Sequence, residues 1–251
     1  MGPRAVERRP DFQVSGFIPN ARFTTVVILL INAGLYVATT LYSIQMAGGE
    51  GAFDIHPQVL LIFGAKLSSL IAAGDWWRLI TAGFLHGGIL HILMNSWVIF
   101  DLGTTVEEFY GTPRYLVLYL LSTIAGFMAS TWYSPAMSVG ASAPLFGLLG
   151  AMIAAGTKAR TPMGSAIRAH YMQWAIWGVV MGFLPGLRID NAAHLGGLAA
   201  GFIFGYVAGT RPLFEGVGEK LWKVAAALSI LLTAFAFLRM AIFFATIQKH
   251  L

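Results

Sequence analysis

An all-α polytopic membrane fold follows from three features of this 251-residue sequence. Hydrophobic residues make up 57% and charged residues 11%, with mean hydropathy +0.71, whereas a soluble domain carries about 25% charged residues. Apolar runs recur along the chain, several of them near the length of about 20 residues that a bilayer span needs. Basic residues gather between alternate runs, as they do in loops on the cytoplasmic side.

The chain has no cysteine, which excludes a disulfide scaffold, thiolate metal sites and a cysteine nucleophile. Its net charge of +5 and pI near 9.6 would suit nucleic acid. In a membrane protein the same excess marks cytoplasmic loops, so the expected partner is the lipid bilayer and not nucleic acid.

Residues 1–22 are polar and basic (Arg4, Arg8, Arg9, Arg22) and read as a short cytoplasmic tail. The apolar run from Phe23 to about Met46 exceeds the roughly 7–15 residues of a cleaved signal, so it is expected to remain as the first span. A long loop over 47–87 follows. Within it, Val59 to Ala73 is apolar but short and interrupted by Lys66, which suits an interfacial or re-entrant segment. Gly74-Asp75-Trp76-Trp77-Arg78 places tryptophan and arginine at the headgroup level. Six further spans are expected at roughly 88–106, 114–134, 140–157, 169–187, 191–210 and 221–247, which makes seven.

With the N-terminus inside, the inner segments hold 11 basic residues; the outer side, with the outer half of span seven, holds 5 (Lys66, Arg78, Arg188, Arg239, Lys249). That asymmetry predicts a cytoplasmic N-terminus and an outside C-terminus. Arg239, followed by apolar residues, either snorkels outward or faces the bundle interior.

Spans two, four and six then all run from outside to inside. Span two opens with His86, His91 and Asn95, span four with Ser142, and span six with His194. Polar groups inside spans are costly and by default functional. Each has a plainer explanation. Ser142 could bond the carbonyl one turn back, His86 could sit at the water boundary, and His91 and Asn95, four apart, could satisfy each other. The glycines around His194, including Gly197, allow close helix packing. Yet four such residues, His91, Asn95, Ser142 and His194, at one depth on three separate helices point to a site.

The chemistry that fits is acyl transfer. A hydroxyl is a poor nucleophile until a base takes its proton, and the developing oxyanion needs aimed donors. Ser142 supplies the nucleophile, His194 the base, and Asn95 with His91 the donors. Pro144 is tolerated in a first helical turn and disfavours helical geometry at Ala143, so Ser142 should stand at the helix start among free N–H groups. Phe146, four residues on, shares its face and can stack on the His194 imidazole. Asp190 precedes span six, so no acid is expected to orient the base; the ring would do so instead.

These residues resemble the rhomboid family of intramembrane serine proteases, over about 130 residues from Trp76 to Gly205. Trp77-Arg78 is similar to its first-loop pair, and His86, His91 and Asn95 to its His-x4-His-x3-Asn pattern. Gly103 and Glu107 resemble its Gly-x3-Glu turn, Gly140-Ala141-Ser142 the start of Gly-x-Ser-Gly, and Ala193-His194 with Gly197 and Gly201 its Ala-His-x2-Gly-x3-Gly. Ala143 stands where that motif has its second glycine, and Phe146 where tyrosine is common. The resemblance implies a Ser142–His194 dyad and an oxyanion hole drawing on His91, Asn95 and Ser142 itself. Phe146, His86, Gly140 and Gly197 would support them, with no cofactor and no metal. It further implies cleavage of transmembrane protein substrates near the outer membrane surface. The implied organisation is the tail (1–22), a rhomboid-like six-span catalytic core (23–211), and a linker with a C-terminal seventh helix (212–251), in a bacterial cytoplasmic membrane. Two rival readings are a metal site built from His86, His91 and His194, and a non-cutting member of the same fold. The first lacks a His-Glu-x-x-His helix, and His86 and His91 lie about 140° apart around an ideal helix. The second would normally have lost the serine or the histidine.

Overall fold

The computed structural model describes residues 23–46, 54–185, 187–210 and 217–249. The expected basic tail, residues 47–53 of the first loop and most of the expected linker lie outside these. Among the described residues every regular element is helical, with two isolated bridges, Asp54–Gly88 and Lys66–Ser138.

The elements are α1 (Phe23–Met46), α2 (Pro57–Ile62), α3 (Ser68–Ala72), α4 (Arg78–Thr81), α5 (Ile89–Val98), α6 (Thr104–Tyr110), α7 (Thr112–Tyr133), α8 (Ser142–Ala159), α9 (Pro162–Met181), α10 (Asn191–Ala208) and α11 (Val217–Gln248). A π-helical turn over Ile99–Gly103 joins α5 to α6, so the pair forms one apolar rod of 22 residues. That rod, α1, α7 and α11 are each long and apolar enough to cross a membrane. The remaining long helices, α8, α9 and α10, run for 18 to 20 residues and are richer in small or polar side chains. One boundary differs from expectation: α9 starts at Pro162 rather than near 169 and stops at Met181. The Thr161 hydroxyl accepts from the Gly164 N–H at 3.1 Å, with proline in the first turn, and this cap overrides the polar look of 161–168.

α1 shows which solvent the bundle is built for. Its buried positions are Thr24, Thr25, Ile28, Asn32, Tyr36, Thr39 and Ser43, whereas Phe23, Leu30, Val37 and Leu41 are exposed. A helix in water buries its apolar face; here the polar stripe faces protein and the apolar face looks out. α8 is the central helix, buried almost continuously from Ala143 to Ala154. α10 lies against it so closely that a Cβ on Gly197 would come within 2.1 Å of the Ala143 carbonyl oxygen, and one on Gly201 within 1.9 Å of the Gly147 carbonyl oxygen. Small residues at this spacing let backbones touch where lipid supplies no hydrophobic drive.

The first loop is ordered by its charges. The Arg78 side chain is wholly buried; its Nη1 donates to the carbonyls of Leu61 at 2.7 Å and Ala65 at 3.1 Å, and its Nε to Asp75 at 2.9 Å. The guanidinium also lies over the rings of Trp77 and Phe243. The apolar run read as interfacial or re-entrant thus breaks into α2 and α3, neither long enough to span. α11 runs along the outside of the bundle. One end is held by a bidentate pair between Arg114 and Glu219. Farther along, its aromatics meet the first loop, Phe235 on Trp76, Phe237 on Phe84 and Phe243 on Trp77. Arg239 is exposed on its outer face, which settles its direction as away from the bundle interior.

Candidate active site

The starts of α5, α8 and α10 lie at one end of the bundle, beneath the first loop. Asn95 is buried on α5, and its Nδ2 has no hydrogen-bond partner among the described residues. His91, one turn before it, is half-buried, and its Nδ1 accepts a long 3.5 Å contact from the Gly87 N–H. A neutral ring accepting at Nδ1 carries its proton on Nε2.

Gly140 brings that ring to the serine. Its φ of +136° is a conformation that side chains rarely adopt. A Cβ there would meet His91 Nε2 at 2.7 Å and Ser142 Oγ at 3.5 Å. His91 and the Ser142 hydroxyl therefore border the same point in space. Ser142 is half-buried and is the first residue of α8. The expectation that Pro144 would push Ala143 out of helical geometry is corrected here: Ala143 is helical. Pro144 only disfavours that state, and Ala143 gains packing, since its methyl fits the space that Gly126 leaves open on α7. No positive φ is needed at Ala143, so the methyl that replaces the motif's glycine hydrogen is accommodated.

Phe146 and His194 lie face to face, centroids 4.0 Å apart and planes 13° from parallel. The tip of the Phe146 ring abuts Gly178 of α9, where a Cβ would sit 2.6 Å from Cζ. The ring is thus held between α9 and the imidazole. His194 is 5% exposed, and its Nδ1 has no hydrogen-bond partner among the described residues. Asp190 is turned to other work: Oδ1 accepts from the Ala193 N–H at 3.0 Å, capping α10, and Oδ2 accepts from the Ser130 hydroxyl. Ala193 and Ala143 pack in one small cluster with Phe127, so the residues beside His194 and beside Ser142 are neighbours.

His86 is buried rather than at a water boundary, its ring edge-on to His91 with centroids 5.1 Å apart. Among the described residues no group of three His, Asp or Glu side chains is arranged to hold a metal ion. Three residues of this region were not anticipated: Lys66, wholly buried in the first loop, Gly178 behind Phe146, and Asn191, whose Nδ2 donates to the Val179 carbonyl at 3.2 Å and ties α10 to α9. The one sequence signal available was a lysine inside an apolar run, where a charge needs partners.

Residues 73–211 match the family model for the Rhomboid domain. The chain is 38% identical over 189 residues to the rhomboid protease GluP of Bacillus subtilis (strain 168), covering 75% of this chain and 36% of that protein. It is 36% identical over 162 residues to RHOMBOID-like protein 5 of Arabidopsis thaliana, covering 62% and 52%. With rhomboid-like protease 3 of Toxoplasma gondii the identity is 35% over 153 residues, covering 60% and 58%. The matched stretch thus spans between about a third and three fifths of each relative's length.

Proposed function

The chain belongs to the rhomboid family, and on that footing we propose that it is an intramembrane serine endopeptidase. It would cut transmembrane segments of other membrane proteins near the outer surface of the bilayer, with Ser142 as nucleophile and His194 as base. The observation that carries this reading is the junction of α8 and α10. Phe146, one turn after Ser142, stacks on the His194 ring, while Ala143 and Ala193 share one packing cluster.

On this reading the Ser142 oxygen attacks the scissile carbonyl carbon as its proton passes to the His194 imidazole. Nδ1 is buried, which leaves Nε2 for the transfer. The carbonyl oxygen gains the negative charge and is met by the Asn95 amide, by His91 Nε2–H and by the backbone N–H at Ser142. As the adduct collapses, His194 returns the proton to the departing amide nitrogen and an acyl-serine remains. Water then attacks that ester as His194 takes its proton, and His194 hands that proton to the serine oxygen as the ester C–O bond breaks, leaving free serine and a new carboxyl group that ionises. Donors fixed before the charge develops are the largest contribution in sites of this kind. The Phe146 ring, trapped against α9, keeps the imidazole in plane where no carboxylate among the described residues holds it. The distribution of basic residues supports a cytoplasmic N-terminus and an outward-facing site, and the Bacillus relative supports a bacterial cytoplasmic membrane.

The test uses the full chain in liposomes with a single-pass transmembrane reporter and a fluorophosphonate probe. Ser142 should be labelled, cleavage should resist chelators, and both should vanish in Ser142→Ala and fall steeply in His194→Ala. Cleavage that survives Ser142→Ala would overturn the assignment. Reporter binding without cleavage or labelling would favour a module that holds helices without cutting them.

A further inference from the structure

Lys66 is 0% exposed, and lysine is almost never fully buried unless paired. Its ammonium meets no carboxylate at hydrogen-bond distance among the described residues. It donates instead to three carbonyls, Ser130 at 3.2 Å, Ser134 at 2.6 Å and Ala136 at 3.0 Å. Three donors and three acceptors satisfy the group completely. The acceptors run from the last turn of α7 into the connection toward α8, where carbonyls point outward and a cation is favoured. Burial pushes the Lys66 amine below the usual lysine range, and the charge of Asp190 opposes that shift.

The position of these carbonyls matters more than their number. Lys66 also pairs backbone to backbone with Ser138 in both directions at 3.0 Å, two residues before Gly140, whose N–H donates to the Ala82 carbonyl at 2.9 Å. The segment that delivers Ser142 is therefore pinned along its length to the first loop. Ser130, whose carbonyl Lys66 holds, donates its hydroxyl to Asp190. Asp190 caps α10 through the Ala193 N–H, and its carbonyl accepts from the His194 N–H at 3.1 Å. One lysine thus stands at the root of two paths, one to the serine and one to the histidine.

We propose that Lys66 is a positioning residue for the dyad, fixing the end of α7 against which the Ser142 loop and the α10 cap are both set. The inference rests on the serine protease reading and deepens it. A misplacement of about 1 Å between reacting groups can cost on the order of a hundredfold in rate, so a change at Lys66 acts on the rate of reaction at Ser142 and not on access to it.

The experiment measures fluorophosphonate labelling of the full chain in detergent, separating the maximal rate constant from the concentration giving half that rate. Lys66→Met should lower the maximal rate constant about tenfold or more, with the half-saturating concentration changed by less than about twofold. Ser130→Ala removes only the hydroxyl link to Asp190 and should lower the rate constant about three- to tenfold, again at constant half-saturation. The double variant should be no slower than Lys66→Met alone, because the path through Ser130 to the histidine is one of the two that start at Lys66. Thermal unfolding is followed in parallel, and the Ser130→Ala result decides if Lys66→Met does not fold. Parent-like rate constants in the folded variants would overturn this inference while leaving the protease reading intact. A parent that is not labelled at Ser142 would overturn the protease reading, and this inference with it.

Discussion

The rings of Phe146 and His194 stack 4.0 Å apart while the far edge of Phe146 presses on the backbone of α9 at Gly178. The His194 imidazole is therefore held by a hydrocarbon face that is itself clamped by another helix. Phe146→Tyr should keep most activity, because the stacking face survives. Phe146→Ala should lose at least about tenfold, or about 1.4 kcal/mol in the transition state. Turnover of a transmembrane reporter checks this, and equal activity of parent and Phe146→Ala would defeat it.

Asn95 carries a buried Nδ2 with no partner among the described residues, an arrangement costly at rest, which on the proposed mechanism the developing oxyanion relieves. Asn95→Ala should cut kcat by about 10²–10³, with KM changed far less. The same loss appearing wholly in KM would assign Asn95 to substrate binding instead.

Gly197 faces the Ala143 carbonyl with no room for a methyl, whereas a Cβ on Gly34 of α1 would meet nothing within 4 Å. Gly197→Ala should separate α8 from α10, lowering both unfolding temperature and activity. Gly34→Ala should be neutral or stabilise by up to about 1 kcal/mol, the helix-propensity gain. Thermal scans of the two variants side by side make the comparison, and a harmless Gly197→Ala would contradict it.

The buried pair Arg114–Glu219 fastens the start of α11 to α7. Arg114→Leu alone should lower the unfolding temperature, because it removes both hydrogen bonds that the guanidinium gives the buried Glu219 carboxylate. Calorimetry in detergent would show it; an unchanged unfolding temperature in the single variant would mean that the pair contributes nothing.

Orientation can be read with single cysteines in this cysteine-free chain. Gln58 and Ser165 are both exposed, Gln58 in the first loop and Ser165 near the start of α9. Gln58→Cys should react with an impermeant maleimide on intact cells, and Ser165→Cys only after lysis. The reverse pattern would invert the topology.

Much of this architecture was legible because lipid is a strict solvent. Long apolar runs, a histidine amid glycines and a serine before proline stand out where every polar group is expensive. The stacking of Phe146 on His194 was legible too, since four-residue spacing fixes a helix face. The start of α9 was not, because Thr161, Ser165 and Arg168 look like loop residues until the Thr161 cap is seen. Lys66 was read as an interruption of an apolar run, since its acceptors are main-chain carbonyls about 70 residues away, and a carbonyl leaves no trace in a sequence. Ala143 was legible as a departure from the motif, but the glycine on α7 that makes room for its methyl was not.

The π turn at Ile99–Gly103 sets the phase of the rod that contains it. Closing one loop over five residues instead of four holds an additional residue, and one residue is about 100° of rotation. The stretch before the turn aims His91 and Asn95 at the site, and the stretch after it aims Glu107 at the N–H and hydroxyl of Thr25 on α1. No unbroken α-helix of this sequence would present both faces at once. Deleting a single residue from the turn would leave hydropathy and length nearly untouched while rotating one half of the rod against the other. The geometry of the site is therefore encoded partly in an angular offset to which hydropathy and span length are blind.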